Sequence, residues 1–293
     1  MAPDAGERSE DPFAHTRMTL GEHLGELRKR LFRGVLAVVL LFIGGLFFSD
    51  QITAVILQPH RDSVAKLNAE QEALAREQVE QHPEERERWF EPDGTFRRTI
   101  DERLKVLGPT EGMWFTLKVC GYFALFLGSP YLLWQLWGFV AAGLYARERR
   151  WVHFFFPPAL LLFLAGALFS YFVMVPFGLY YLLKTMPLDL MAPDIRLEDY
   201  FSFLSVLCLG MGLVFQLPLL MSFASLAGLV EAATFARMRG YFAIAAFVIS
   251  AVLTPGPDIF SQLAMAGPMV VLYEVGLLGA RFAGRRRGSE VER

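Results

Sequence analysis

Residues 152–183 read VHFFFPPALLLFLAGALFSYFVMVPFGLYYLL, an apolar run that contains no Asp, Glu, Lys or Arg. A helix needs about 20 apolar residues to cross a hydrocarbon core of ~30 Å. Uncharged runs of this length indicate a transmembrane helix rather than a core helix of a soluble domain. This stretch therefore predicts an all-α membrane protein.

Other apolar runs along the chain have the same character. Residues 34–49, 119–146 and 200–230 also lack charged side chains. Residues 240–280 are interrupted by the turn sequence PGPD at 255–258, which predicts two short helices joined by a tight hairpin. Together the runs predict six transmembrane helices, of which spans five and six form the short hairpin. Because five spans follow the first, it is predicted to be a retained anchor rather than a cleaved signal peptide.

The composition agrees with a membrane protein. Of the 293 residues, 54% are hydrophobic and 20% are charged, whereas soluble domains carry ~25% charged residues. These numbers exclude disordered, collagen-like and disulfide-scaffold proteins. The net charge of −2 argues against a nucleic-acid-binding protein with a broad basic surface. Cys120 and Cys208 lie in apolar runs, so two buried thiols are a better interpretation than a disulfide or a metal pair.

The positions of the basic residues orient the predicted spans. Lys and Arg cluster just before span one, after spans two and four, and in the tail, residues 281–293. The short loops on the opposite side contain only Lys184 and Arg196. Loops rich in Lys and Arg stay in the cytoplasm. Both termini are therefore predicted to be cytoplasmic.

Two polar regions remain outside the predicted spans. Residues 18–31 place leucines at i, i+4, i+7 and i+11, which predicts an amphipathic helix at the cytoplasmic interface, preceded by a flexible N-terminus, residues 1–17. Residues 51–112 form a long extracytoplasmic loop, in which 64–90 are rich in Glu, Gln, Arg and Ala. This composition favours a solvated accessory insertion, either an exposed helix with i,i+4 ion pairs or a partly disordered segment.

Glu26 is the notable residue of the amphipathic segment. Thr19 and Glu22 have the spacing of a helix capping box, which gives Glu22 a structural role and leaves Glu26 without one. One role open to Glu26 is an i,i+4 ion pair with Arg30, worth about 0.3–0.5 kcal/mol at a surface. His23 and Glu26 also have a spacing that can hold a metal, but a simple polar pair is the better interpretation. We expect neither a metal nor another cofactor.

Motifs of catalysis are missing from the sequence. The chain has no GxxxxGK[ST] phosphate loop, no GxGxxG turn and no HExxH or other paired histidine spacing. No serine combines with a histidine and an acid in a nucleophile motif. The sequence therefore does not predict an enzyme.

Several longer motifs follow one another along nearly the whole chain. They are HLGELRKRL at 23–31, SPYLLWQLWGF at 129–139, GLYARERR at 143–150, GALFSYF at 166–172 with Pro176, GLVFQLP at 212–218, LTPGPDIFSQ at 253–262 and LYE at 272–274. In this order and on six predicted spans, they resemble the TatC family, the multi-span receptor of the twin-arginine protein translocase. The insertion within 51–112 departs from the compact family pattern. Gln216 stands where family members can carry Glu.

The resemblance implies a non-enzymatic receptor in the bacterial cytoplasmic membrane, in contact with lipid. It implies binding of precursors with a paired-arginine signal peptide, and a multimeric complex with single-span TatA- and TatB-type subunits that exports folded proteins using the proton gradient. The implied signal-peptide site contains Glu26 and Glu148, with Arg28 and Arg149 beside them. Carboxylates suit this task because they accept charge-assisted, often bidentate hydrogen bonds from guanidinium groups. The alternative role for Glu148 is neutralisation by the adjacent arginines.

Polar residues within the spans are further candidates for contacts. Gln216 and Glu274 lie in spans four and six, where polar groups usually face a partner or a cavity. The alternative for Gln216 is a hydrogen bond to a neighbouring helix or to the carbonyl that Pro218 frees. The resemblance implies that Thr254 and Gln262 form a polar docking place for the single-span partners. Capping of the hairpin turn is the alternative for these two residues.

Two other classes of function predict sequence features different from those of a translocase receptor. A secondary transporter of a small solute predicts two related halves with helices broken at corresponding positions, and the sequence shows no such symmetry. An intramembrane enzyme requires a nucleophile or a metal cluster, and the sequence contains neither pattern.

Overall fold

The computed structural model describes residues 20–97, 99–142, 149–186, 193–253 and 259–291. In this part of the chain the helices are α1 (Leu20–Leu46), α2 (Ser49–Gln81), α3 (Arg86–Trp89), α4 (Glu111–Ala142), α5 (Arg149–Phe169), α6 (Val175–Lys184), α7 (Leu197–Val214), α8 (Leu217–Leu226), α9 (Ala232–Arg237), α10 (Arg239–Leu253) and α11 (Ile259–Val291). Within the same residues, β-type pairing is limited to two isolated bridges, Phe90 with Phe96 and Lys105 with Arg196. The predicted all-α class is confirmed for this part of the chain.

Four helical stretches are long and apolar enough to cross a membrane, namely Glu111–Ala142, Phe154–Lys184, Leu197–Leu226 and Gln262–Gly284. A fifth candidate arises if α1 and α2, which are bent by 93° relative to each other, count as one span. The remaining apolar helix, α10, has 15 residues and is about 22 Å long, which is less than the ~30 Å of a hydrocarbon core. The described residues thus contain four to five candidate spans. Span five of the prediction corresponds to the short helix α10, and span six corresponds to α11.

The predicted amphipathic segment and the first predicted span form a single helix. α1 has no break between them, so residues 20–31 lead directly into the apolar part of the helix. Leu24, Leu27 and Leu31 on the apolar stripe are exposed in the described structure. At the other end of α1 the chain turns through Phe47 and Phe48 into α2.

Prolines accompany interruptions in two of the apolar runs. The 152–183 run consists of α5, a π-helical turn (Ser170–Met174) and α6, in which Pro176 occupies the first turn. The 200–230 run is divided between α7 and α8 at Phe215 and Gln216, just before Pro218. Proline has no backbone N–H and clashes with the carbonyl four residues earlier, so it favours such irregular turns.

Glycines allow two pairs of helices to approach closely. Where α11 crosses α8, a Cβ on Gly276 would lie 2.6 Å from the Sδ of Met221, and a Cβ on Gly279 would overlap Ser222. Where α1 crosses α4, a Cβ on Gly34 would lie 3.1 Å from a methyl carbon of Leu132. Small residues at such crossings permit the close packing that drives helix association in lipid.

The largest buried cluster surrounds α7. Tyr200, Leu204, Leu207 and Met211 of α7 are almost completely buried. They belong to one cluster with side chains from α2, α4, α6, α10 and α11, among them Ile56, Val119, Val175, Ala246 and Met265. α7 therefore lies at the centre of the helix packing.

The first half of α2 packs onto the predicted spans. Val64 and Leu67 are buried together with Ile100 and Leu183. The side chain of Asn68 donates to the carbonyl of Ile100 at 3.0 Å and accepts from its N–H at 2.9 Å. Tyr200 of α7 donates its hydroxyl to the carbonyl of Ile56 in α2 at 2.6 Å. This half of α2 is therefore an integral part of the fold.

The second half of α2 and the residues after it pack mainly on one another. Ala75 is buried against Phe90 and Phe96, and the two phenylalanines form an isolated antiparallel bridge. Glu72 and Arg76 form an i,i+4 ion pair at 2.6 Å. Glu70 marks the boundary between the two halves, because its carboxylate contacts Lys184 and the Tyr180 hydroxyl of α6.

Candidate functional site

Glu26 and Arg30 form the i,i+4 ion pair that the sequence allows. Arg30 donates a hydrogen bond from Nε to Oε1 of Glu26 at 2.8 Å, and its Nη2 lies 2.7 Å from the same oxygen as an ion-pair contact. The side chain of Glu26 is only 26% exposed, and that of Arg30 is 18% exposed. Among the described residues, Oε2 of Glu26 accepts no hydrogen bond. The pair thus occupies one oxygen and leaves the other for a ligand.

The guanidinium of Arg30 lies against the backbone of α4. A Cβ on Gly138 would overlap Nη1 of Arg30 and would lie 2.8 Å from Cζ. Arg30 therefore fits only because residue 138 has no side chain. The only hint in the sequence is an isolated glycine within an apolar helix, which often has a packing reason.

An apolar groove between α1 and α4 extends from this contact. It encloses a cavity of about 380 Å³, lined by Leu27, Arg30, Gly34, Val38, Leu132, Gln135 and Phe139 together with other aliphatic residues of the two helices. Gln135, one turn before Gly138, is buried, and its Oε1 has no hydrogen-bond partner among the described residues. A buried acceptor without a donor is costly, which makes this end of the groove polar and receptive to a donor.

The structure describes only part of the predicted signal-peptide site. Arg28 is exposed on α1, two residues after Glu26. Glu148 lies outside the described residues, and Arg149 begins α5 although its side chain is not described. The structure therefore does not test whether Glu26 and Glu148 come together.

Gln216 forms a hydrogen bond with a neighbouring helix. It is 7% exposed, and its Nε2 donates to the carbonyl of Ala159 in α5 at 2.9 Å. This hydrogen bond is one of the two alternatives that the sequence left open. It ties the break between α7 and α8 to α5.

Gln262 and Glu274 also have partners within the chain. Nε2 of Gln262 donates to the carbonyl of Phe247, which joins α11 to α10 at 2.9 Å. Glu274 forms a 2.9 Å ion pair with Arg239, the first residue of α10, and both side chains are nearly half exposed. Thr254, the other candidate at this hairpin, lies outside the described residues.

The Arg239–Glu274 pair was missed at the level of sequence. The two residues lie at almost equal distances along the chain from the 255–258 turn. Two antiparallel helices joined by a tight hairpin bring such residues side by side. This symmetry is the signal that could have paired them.

The remaining polar groups of the described residues do not meet the requirements of a metal site. No group of three or more His, Cys, Asp or Glu side chains in the described residues is arranged to hold a metal. Cys120 and Cys208 are both free and buried. His60 is buried in α2 against Tyr200, with a ring-centroid distance of 5.4 Å.

Comparison with known proteins adds independent evidence to these motifs and helices. Residues 22–268 match the profile of the family described as Sec-independent protein translocase protein (TatC). The chain is 31% identical to the TatC protein of Carboxydothermus hydrogenoformans over 265 residues, which are 90% of this chain and 93% of that protein. It is 30% identical to the TatCy protein of Bacillus subtilis over 271 residues, which are 92% of this chain and 91% of that protein.

A solved structure gives the same result for the fold. The crystal structure of a twin-arginine translocase receptor, TatC, superposes with a TM-score of 0.66 and 27% sequence identity, and the match covers 89% of this chain and 99% of that one. The resemblance predicted from the motifs is thereby confirmed. The chain belongs to the TatC family of Sec-independent, twin-arginine protein translocase components.

Proposed function

We propose that this TatC protein is the receptor of a twin-arginine translocase in the bacterial cytoplasmic membrane, with six spans and both termini in the cytoplasm. TatC proteins are components of a protein translocase and not members of a known enzyme family. In the proposed function, Glu26 and Glu148 accept the paired arginines of a signal peptide, and Arg28 and Arg149 flank them. The bound precursor is then exported in the folded state at the expense of the proton gradient.

The arrangement of Glu26 is the observation that supports this proposal most. Its carboxylate is partly buried on the helix that carries the first family motif, and one of its oxygens is held by Arg30. A carboxylate offers about four lone-pair positions, so the contacts of Arg30 with Oε1 alone leave capacity for a second guanidinium. Each charge-assisted hydrogen bond contributes roughly 1.5–3 kcal/mol. Loss of one such bond therefore weakens binding about ten- to hundredfold.

Docking of the TatA- and TatB-type subunits is proposed at the α10–α11 hairpin, with Thr254 and Gln262 as the polar contacts. Because Nε2 of Gln262 is used by Phe247, its Oε1 is the atom that faces a partner. α10 also carries an exposed apolar stripe at i, i+4 and i+8, formed by Ile244, Val248 and Val252. A stripe of this kind suits a single-span apolar helix or lipid. Gln216 and Glu274 have their partners within the chain and support the fold around this surface.

The test is a binding titration with purified protein in lipid nanodiscs. A signal peptide with an arginine pair is compared with the same peptide carrying a lysine pair. We expect Glu26→Gln combined with Glu148→Gln to weaken binding of the arginine peptide at least tenfold and to abolish its advantage over the lysine peptide. Glu231→Gln is the matched control, because it removes one exposed carboxylate from the side of the membrane predicted to be cytoplasmic.

The proposal would be overturned by one clear result. If the double variant keeps both its affinity and its arginine preference, the two carboxylates are not the recognition site. Circular dichroism and size-exclusion profiles that match the wild type establish that the variants are folded. Neither substitution is expected to unfold the protein, because Gln keeps the size of the Glu side chain and the Glu26–Arg30 pair is a single i,i+4 contact within one helix.

A further inference from the structure

The contact between Arg30, Glu26 and Gly138 is more specific than an ordinary surface ion pair. Arg30 uses two nitrogens on a single oxygen of Glu26, while its guanidinium rests on the bare backbone of Gly138 in the neighbouring helix. Arg30 is the less exposed member of the pair, at 18%. A helix-surface pair of this spacing normally contributes little and is free to move. Here a second helix restricts it.

We propose that Arg30 is a specificity-determining residue that makes Glu26 select arginine over lysine, and that Gly138 is the position that admits Arg30. This inference rests on the proposed function, in which Glu26 receives an arginine of the signal peptide. The main role of Arg30 in this proposal is not direct contact with the signal peptide. It acts by neutralising Glu26 and by holding the plane of the carboxylate.

Charge neutralisation explains why lysine is disfavoured. An ammonium group is a compact, strongly hydrated point charge, so its binding to a carboxylate depends mainly on net charge. Arg30 brings the formal charge of the pair to zero, which removes most of that attraction. A guanidinium is planar and weakly hydrated, and it gains from correctly oriented acceptor lone pairs. The fixed Oε2 of Glu26 provides such an acceptor, so an arginine retains its advantage.

Gly138 determines whether Arg30 can take this position. An alanine at 138 would place its Cβ within the van der Waals radius of Nη1 and 2.8 Å from Cζ of Arg30. The flexible side chain of Arg30 would then have to move away from α4, and its hydrogen bond and ion-pair contact with Oε1 would be lost. Gly121 is a matched control on the same helix and facing the same neighbour, because its Cβ would meet only Phe42, at 4.0 Å.

The test measures the ratio of the dissociation constants for the lysine-pair and arginine-pair peptides. Arg30→Gln and Gly138→Ala are each expected to lower this ratio about tenfold, mainly because the lysine-pair peptide binds more tightly, the size of effect expected when one charge-assisted hydrogen bond is replaced by net charge. Gly121→Ala should leave the ratio unchanged. In the Arg30→Gln background, Gly138→Ala should have no further effect, because the side chain with which it collides is gone.

Three results would overturn the inference. The first is an unchanged ratio in Arg30→Gln. The second is a Gly138→Ala substitution that lowers the ratio equally with and without Arg30, which would mean that residue 138 acts through helix packing. The third is a parallel loss of affinity for both peptides, which a structural defect would produce. If the wild type shows no arginine preference, the proposed function and this inference both fail. If the preference depends on Glu26 but not on Arg30, the inference alone fails.

A second measurement does not require ligand binding or the Gly138→Ala variant. Phenylglyoxal modifies exposed guanidinium groups, and peptide mass spectrometry reports the rate at each arginine. In the wild type, Arg30 should react at least tenfold more slowly than Arg28, which is exposed on the same helix. Equal rates at the two residues would show that Arg30 is not held against α4, and the inference would fall.

Discussion

We predict that the removable part of the 51–112 region begins after Glu70. We expect a protein in which residues 71–97 are replaced by a short glycine linker to fold and to bind signal peptides like the wild type. The segment buries Ala75, Phe90 and Phe96 against one another rather than against the spans. Its ends are held near each other, because Asn68 is hydrogen-bonded through its side chain to the backbone of Ile100.

A longer deletion, residues 64–100, starts where the polar segment of the sequence starts and should behave differently. It removes Val64, Leu67 and Ile100, which are between 0 and 5% exposed and pack on Leu183. Burial of an aliphatic side chain contributes about 1.5–3 kcal/mol, so the three together contribute about 5–9 kcal/mol. The two hydrogen bonds of Asn68 add about 1 kcal/mol each. This loss is comparable with the total stability of a typical domain, about 5–15 kcal/mol.

Thermal unfolding and peptide titration of the two purified deletion proteins separate these outcomes. The shorter deletion should melt within a few degrees of the wild type and keep its affinity for a twin-arginine peptide. The longer deletion should unfold at a much lower temperature or fail to accumulate in the membrane. The reasoning is refuted if both proteins melt at the same temperature. Loss of binding in the shorter deletion, as severe as in the Glu26 and Glu148 double variant, would refute the assignment of the segment as accessory.

Three further predictions concern other parts of the molecule. Because α10 reaches only about 22 Å, a thinned or distorted bilayer beside the hairpin is expected to help transport. Three leucines added to each of α10 and α11 should therefore impair export of a folded reporter without preventing membrane insertion. Normal export by this variant would show that hydrophobic mismatch has no part in the mechanism. Burial, aided by the charge of Arg61, holds the pKa of His60 below its ordinary value of 6.5, so the unfolded chain binds a proton that the folded chain does not, and stability should fall as the pH drops below 6.5. His60→Leu should make melting temperatures less dependent on pH in this range, and a profile as steep as that of the wild type would contradict this role. Glu274→Gln should lower the free energy of unfolding by no more than about 1 kcal/mol, since its pair with Arg239 is nearly half exposed, and a larger loss in a denaturation curve would show that the pair is structural.

The membrane class, the helical runs and the family were accessible from the sequence because they depend on local composition and on motifs of adjacent residues. Uncharged runs longer than a bilayer requires have few interpretations. The prediction of six spans is least supported at the hairpin of spans five and six, because α10 is too short to be recognised as a span by length alone. Polarity also does not show where the packed part of α2 ends, since Val64 and Leu67 are buried within a segment rich in charged and amide side chains.

The partners of the polar side chains were decided only by the tertiary structure. The sequence left several roles open for both Glu26 and Gln216, because it contains no information on which carbonyl or helix lies opposite each side chain. The crossing of α1 over α4 places Arg30 on Gly138, and the packing of α5 against the α7–α8 break places Ala159 beside Gln216. Such contacts depend on helix crossing angles and on close approach at glycines, and both are determined by the packing of many side chains along the two helices. Hydrophobic periodicity identifies the buried face of each helix, whereas the identity of the opposing residue follows only when the helices are packed together.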